Sequence, residues 1–172
     1  AYLFFKTRQA PFDNLKVRQA ISHAIDRDAI CRIALRGTAL PAYSMLPRYF
    51  PGESQERLKD IQAYDPSQAR ALLAEAGYPG GQGFPRVDFW IGKTTPTTSI
   101  LAQAVQAMLK SNLNIDLNMR TSEDKVYRDN MYNWNIPMGL GGFNTDYPDA
   151  NNLLAMVWRS QPSGSGRQDW QS

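Results

Sequence analysis

The chain has one cysteine and one histidine in 172 residues. A lone thiol, Cys31, excludes an internal disulfide and any cysteine-based zinc site, and it leaves the compartment open, because a protein outside the cytoplasm can do without disulfides. A single imidazole, His23, has no second histidine or cysteine pair with which to complete a metal site. No metal and no cofactor are therefore expected. At 100° per residue His23 falls away from the apolar stripe of its helix and reads as a surface histidine. No apolar run approaches the ~20 residues of a membrane span. No leader is visible at Ala1, which is expected if a leader has been removed or if the chain is an internal piece. A strong charge of one sign is missing too. The formal net charge is +3, with Lys and Arg scattered. A nucleic-acid interface needs clustered bases with interleaved aromatics, so no nucleic-acid partner is expected.

What is present is ordinary for a soluble globular domain: 42% hydrophobic and 20% charged residues, in a length that fits one domain with a real core. Residues 2–6 read as an apolar strand. Asp13 or Asn14 then caps a helix whose stripe is Val17, Ala20, Ile21, Ala24 and Ile25, and which is expected to run to about Leu35 and stop at Gly37. From Thr38 to Tyr64, Pro41, Pro47, Pro51 and Gly52 break every period. A loop this long is often functional or lies over another part of the molecule. Its Tyr43, Met45, Leu46, Tyr49 and Phe50 are too apolar for a free linker, and either pack on the domain's own surface or meet a partner. Asp65-Pro66-Ser67-Gln68 starts a second helix, with Asp at the cap and Pro at the first helical position; Gly77 ends it. Gly80-Gly81-Gln82-Gly83 follows a helix and precedes a strand, the reverse of the order in a phosphate loop.

From Val87 onward the order is strand, helix, strand, helix, strand, helix. The strands are 87–91, 115–120 and 136–140, the intervening helices follow Thr94 and Thr121, and the last helix is expected from Pro148. That alternation predicts an α/β fold with a mixed, mostly parallel sheet flanked by helices. The centre of interest is 139–152, Gly-Leu-Gly-Gly-Phe-Asn-Thr-Asp-Tyr-Pro-Asp-Ala-Asn-Asn. Here a short buried strand breaks at Gly141-Gly142 and delivers Phe143 and Asp146 into a loop at the carboxyl edge of the sheet, where such folds bind ligands. The stretch 137–158 holds Asp146 and Asp149 and no Lys or Arg, so its potential favours a cationic group. An aromatic face and a carboxylate three residues apart suit a ligand with an apolar part and a cationic end. The other use of Asp146 is as a helix-capping carboxylate before Pro148.

Several stretches together resemble one family, the periplasmic or lipid-anchored solute-binding proteins of ABC transporters of the dipeptide and oligopeptide type. They are Pro11-Phe12-Asp13-Asn14-Leu15-Lys16-Val17-Arg18-Gln19-Ala20-Ile21 with Ala24-Ile25-Asp26-Arg27, Gly37 with Pro41-Ala42, Tyr64-Asp65-Pro66 through Ala76-Gly77-Tyr78-Pro79, and Gly142 through Asp149. The resemblance implies a two-lobed clamshell that closes on a ligand and delivers it to a membrane permease. Residues 1–172 would form a single domain, part of the C-terminal lobe, with the partner lobe and final crossover absent and one wall of the cleft present. Trp170-Gln171-Ser172 looks like the start of a further helix. The full-length protein would be a monomer. By the same resemblance, Asp146 pairs with a peptide's free α-amino group, Phe143 stands where relatives carry an aromatic, usually Trp, and Gly141, Gly142 and Asn144 line the cleft. No arginine matches just upstream of Leu140 to hold a ligand carboxylate. Some relatives take nickel chelates, opines, sugars or other small solutes instead of peptides.

An enzyme is not expected. The serines sit in caps and loops, the one histidine is on an early helix, and nothing sets a second carboxylate across from Asp146 and Asp149 for glycoside chemistry. Arg18, Arg27 and Arg32 on the first helix read as a solvated face, with permease docking as the other use.

Overall fold

A computed structural model describes residues 1–142 and 144–158, of which 155–158 are described by backbone alone. Four strands form one sheet: β1 (Tyr2–Phe5), β2 (Val87–Ile91), β3 (Leu117–Thr121) and β4 (Met138–Gly141). Their order is β1-β4-β2-β3. β2 runs parallel to both β3 and β4, and β1 is antiparallel to β4. This is the mixed, mostly parallel α/β sheet that the alternation predicts.

Register assigns the two faces. Phe89 is level with Met119 and Met138, Ile91 with Leu140, and Leu140 with Leu3. These residues share one face with Val87, Leu117 and Phe5, because side chains alternate along a strand. Against that face lie α1 (Leu15–Ala24), α4 (Pro66–Glu75) and α5 (Pro96–Leu113). Their stripes of Val17, Ala20 and Ile21, of Ala69 and Leu73, and of Ala102, Val105, Leu109 and Leu113 complete one continuous core.

Local chemistry fixes the ends of the helices. The Asn14 carboxamide oxygen accepts the Lys16 N–H at 2.9 Å, so Asn14 is the cap. Asp65 accepts the N–H groups of Ser67 and Gln68, each at 2.9 Å. Thr95 and Thr98 form a reciprocal capping box at the start of α5, and Asn114, at φ 55°, closes it. The glycine turn at 80–83 abuts that closure. At Gly81, φ is 79°, and a Cβ there would come within 2.5 Å of the Leu113 carbonyl oxygen. Its glycines thus serve a turn packed tightly on backbone.

Four expectations need correction. The first helix does not run unbroken to Leu35. It stops at Ala24, where Ile25 and Asp26 are extended; the Asp26 carboxylate then caps a new start, accepting the Ala29 N–H at 2.8 Å. That piece, α2 (Arg27–Ala29), winds on as a π-helical turn over Ile30–Ala34. An aspartate two residues beyond the end of α1 outcompetes helix continuation by offering the backbone another partner. Second, His23 is buried. Its Nδ1 lies 2.7 Å from the Ala63 carbonyl oxygen, and its own carbonyl accepts the Asp65 N–H at 2.9 Å. The helix side opposite the apolar stripe is covered by the chain entering α4, not by water. Third, Arg27 is half-buried rather than solvated. It donates to Ser22 and Gln62 and stacks 5.5 Å from the Tyr43 ring centroid. Arg18 likewise donates to the Phe12 carbonyl at 2.6 Å, while Arg32 is exposed. Fourth, the last helix, α7 (Asn151–Trp158), is wound as a π-helix and begins three residues beyond Pro148.

The long segment 38–64 contains only a short helix, α3 (Gln55–Lys59), and a 3-10 turn at Asp60–Gln62. It packs on the domain itself. The buried Gln55 side chain accepts the N–H groups of Tyr43 (2.6 Å) and Ser44 (3.2 Å) and donates to the Leu46 carbonyl (2.7 Å). The Tyr43 hydroxyl donates to Asp28 at 3.0 Å, and Gln62 donates to the Tyr43 carbonyl at 2.7 Å. Leu46 then packs with Leu153 among Tyr2, Phe4, Phe50 and Ala150. Tyr49, which is 98% exposed, takes no part in that packing. Replacing Gln55 with Ala strands two buried backbone groups, at ~1–3 kcal/mol each, and one half-buried N–H. Gln55→Ala in the full-length protein should therefore lower unfolding free energy by several kcal/mol and open residues 43–52 to limited proteolysis. Parental stability and protease resistance in the variant would show that this carboxamide does not hold the loop.

Candidate functional site

The parallel strands β2, β3 and β4 end at Ile91, Thr121 and Gly141, along one edge of the sheet. Because β1 is antiparallel, it brings its first residue to that edge: Tyr2 is level with Gly141 and Phe4 with Gly139. Both glycines are on the face of the sheet opposite the main core. A Cβ on Gly139 would overlap the Phe4 ring, and one on Gly141 the Tyr2 ring. Glycine at both positions lets two aromatic rings lie directly against the strand, the arrangement known as aromatic rescue. From the same side, α6 (Asp124–Tyr132) supplies Tyr127. Its hydroxyl donates to the Leu140 carbonyl at 2.9 Å, and its ring fills the space where Gly92 would otherwise carry a Cβ. Burial pushes the Tyr127 phenol well above its ordinary pKa, and the neighbouring Tyr2 adds to the shift. The hydroxyl is thus a fixed neutral donor rather than a proton-transfer group.

The expected ligand-binding residues follow this strand end. Gly141 is half-buried as the last residue of β4, with Tyr2 on one side; the pairing of β4 with β2 ends one residue earlier, at Leu140. Gly142 is exposed, and a Cβ there would meet nothing. Strand pairing thus ends before Gly142. Asn144 and Asp146 are exposed. Phe143 lies outside the described residues, as do the expected features from Ser160 to Ser172.

Asp146 is held by Asn152, which is 1% exposed. The Asn152 carboxamide oxygen accepts the Asp146 N–H at 2.9 Å, and its Nδ2 donates to the Asp146 carboxylate at 3.4 Å. The helix-start contact is made by the other aspartate: Asp149 accepts the Asn151 N–H at 2.7 Å. The Asp146 carboxylate is thus oriented by a neutral amide and makes no ion pair among the described residues. Sequence reasoning placed this loop but missed Tyr2, Tyr127 and Asn152. The pairing of glycines with aromatics two residues apart, Gly139 and Gly141 with Phe4 and Tyr2, was a visible signal. Tyr127 sits in a polar helix, and nothing local marks it.

A shallow hollow lined by Pro11, Asp13, Asn14 and Tyr78 lies at the amino end of α1 and contains none of these residues. Among the described residues no group of three His, Cys, Asp or Glu side chains is placed to hold a metal ion. Among the same residues, no helix is long and apolar enough to cross a membrane.

The sequence profile of the bacterial extracellular solute-binding proteins, family 5 Middle, matches residues 1–165. Heme-binding protein A of Haemophilus influenzae is 34% identical over 169 residues, covering 96% of this chain and 30% of that protein. The oligopeptide-binding protein OppA of Bacillus subtilis is 27% identical over 172 residues, 98% of this chain and 31% of that protein. Among solved structures, a dipeptide-binding protein from Pseudoalteromonas in complex with Met-Leu superposes with a TM-score of 0.85 at 29% identity, over 98% of this chain and 32% of that one. The chain thus spans about a third of the length of the relatives it matches.

Tyr127→Phe removes the donor to the Leu140 carbonyl and should cost ~1–3 kcal/mol at neutral pH. Because the folded state raises the phenol's pKa, its contribution is complete below the unfolded value of ~10 and is lost as pH rises beyond it. Denaturant unfolding from neutral to strongly alkaline pH should show the parent losing stability more steeply than Tyr127→Phe. Identical slopes would show that Tyr127 titrates alike in both states.

Proposed function

The chain belongs to the bacterial extracellular solute-binding proteins of family 5, and on that premise we propose that it forms part of the C-terminal lobe of an ABC-importer binding protein. In this reading it is one domain supplying one wall of a clamshell cleft. The full-length protein, monomeric and either periplasmic or lipid-anchored outside the cell, captures short peptides and delivers them to a membrane permease. It binds and releases its cargo without catalysis.

The observation that carries the peptide reading is the Asp146 carboxylate. It stands at the open carboxyl edge of the sheet, is oriented by the buried Asn152, and lies in a stretch without Lys or Arg. It is a ready counter-charge for a peptide's α-ammonium, while the backbone from Gly142 onward offers hydrogen bonds to an extended chain. Gly141, Gly142, Asn144 and Phe143 complete the proposed contact set. Closing the clamshell desolvates the charge pair, and truncating one partner of such a pair typically costs ~2–5 kcal/mol, or tens- to thousands-fold in affinity. Asp146→Asn in the full-length protein should weaken peptide binding on that scale in calorimetry. The variant keeps the backbone bond to Asn152, so the melting temperature of the free protein should barely move. Unchanged peptide affinity would remove Asp146 from the site.

The likeness to a heme-binding protein supports a second reading, a non-peptide solute on the same scaffold. Native mass spectrometry of the full-length protein as purified separates the two. A ladder of short peptide masses supports the first, and one discrete non-peptide mass supports the second.

A further inference from the structure

We infer that the amino edge of the sheet docks on an anionic phospholipid surface through Lys6, Arg8, Arg86 and Trp134. This edge is at the opposite end of β4 from Gly141 and Asp146. The inference goes beyond the peptide reading above and uses it at one point: a clamshell that closes on the carboxyl edge leaves the amino edge uncovered. Register fixes the juxtaposition. The Lys6 N–H donates to the Pro137 carbonyl at 2.9 Å, so the turn that carries Arg8 leaves β1 beside the chain that has just passed Trp134. On the other side of β4, Phe89 is level with Met138. Counting both parallel chains back three residues brings Arg86 beside Asn135. Along the edge the order is therefore Lys6 and Arg8, then Trp134, then Arg86, at the ~4.8 Å spacing of adjacent strands.

Arg8 and Arg86 are exposed, Lys6 is half-buried, and none of the three is in an ion pair among the described residues. The next cation along the edge, Lys110, is neutralised by Asp116. With Asp129 in the last turn of α6, the edge sets three cations against one free carboxylate. Trp134 is turned outward at a cost in backbone strain. It is 42% exposed and sits at φ 61°, a left-handed conformation that bulky residues rarely take and that glycine or asparagine normally supplies after a helix. The turn is fixed: the Trp134 N–H donates to the Met131 carbonyl at 3.2 Å and the Asn135 N–H to the Asn130 carbonyl at 2.9 Å. The indole stacks on no ring or cation among the described residues. Tyr132, also exposed, ends the same helix. Exposed indole and phenol rings beside free cations suit the headgroup level of a membrane, where aromatic rings settle and each cation gains from anionic lipid. A row of cations running from β1 to β2 matches repeated phosphates better than one small anion. A bilayer adapts to a protruding indole, whereas an acidic protein would have to carry a pocket for it.

The test sediments the full-length polypeptide, made without any acyl chain, with vesicles of phosphatidylcholine alone or mixed with an equal part of phosphatidylglycerol. The protein should partition onto the anionic vesicles and not onto the neutral ones. Each cation at an anionic surface is worth about fivefold in partition. Arg8→Gln combined with Arg86→Gln should therefore weaken it about twenty-five-fold, and added salt should weaken it in the parent. Trp134→Gly should lower partition while the protein stays folded in a thermal melt, because glycine takes the left-handed position without strain. Peptide affinity, measured in parallel, should be the same in all these variants as in the parent. No partition onto anionic vesicles, or a double variant that partitions like the parent, overturns the inference. Cross-linking from position 134 to an acidic protein, with vesicles left unbound, overturns it in favour of that partner. Vesicle binding by a protein that takes up no peptide supports the inference and removes the peptide reading alone.

Discussion

The absence of side chains at Gly139 and Gly141 is the constraint on which the site depends. β4 is an internal strand, and its face away from the main core has to be covered. Larger residues there would hold Tyr2, Phe4 and Tyr127 off the strand. With glycine, the rings of Phe4 and Tyr2 replace the missing side chains from the neighbouring strand, and Tyr127 closes over Gly92 while bonding the Leu140 carbonyl. Glycine weakens a strand by conformational entropy, by roughly 0.5–1 kcal/mol relative to Ala. Partial burial of the Phe4 and Tyr2 rings against the strand works in the opposite direction. The strand is consequently packed on this face up to Gly141, where its pairing ends.

The second support is polar. Tyr43, Gln55 and Gln62 lock the long segment onto α2 through Asp28 and Arg27, and its apolar residues Leu46 and Phe50 then reach the cluster of Tyr2, Phe4, Ala150 and Leu153. A segment that looks irregular in sequence thus connects the Ala24-Ile25-Asp26-Arg27 block to the underside of the candidate site. Arg27 has a structural role. Its donors satisfy carbonyl groups that a buried loop would otherwise leave unpaired, and its face stacks on Tyr43.

Much of this was readable from residue order alone. Strong caps gave α4 and α5, and apolar alternation gave β2 and, beginning two residues early, β3, because in those segments local preference and burial agree; α6 starts at Asp124 with no side-chain bond at its cap. Asp65-Pro66 and Thr95-Pro96 both begin helices where they should, and Asn114 ends one. The failures occurred where a distant segment decides. The helical period points His23 to solvent because a helix's non-apolar side is usually wet, but residues 62–65 cross it. Arg27 was read as solvated for the same reason. The break at Ile25 was missed because the apolar period continues through it, and only the Asp26 cap reveals the new start. At the site, Asp146 and the glycines were legible as a strand-to-loop pattern. Asn152 was not, since its role comes from a fold-back over six residues that no periodicity encodes.

Asn152 also bears on how a single exposed carboxylate can be selective. A flexible aspartate in water gains little from one ammonium, because ordering the side chain and screening by solvent cancel most of the attraction. Here a buried amide bonds both the backbone and the carboxylate of Asp146, so part of the ordering cost is met during folding. A neutral partner is suited to this task. An arginine in its place would orient the carboxylate equally well but would consume its charge, whereas an amide leaves a net negative edge with no Lys or Arg between residues 137 and 158. In the peptide reading proposed above, this oriented carboxylate would meet a cationic chain end while the backbone from Gly142 onward meets its amides.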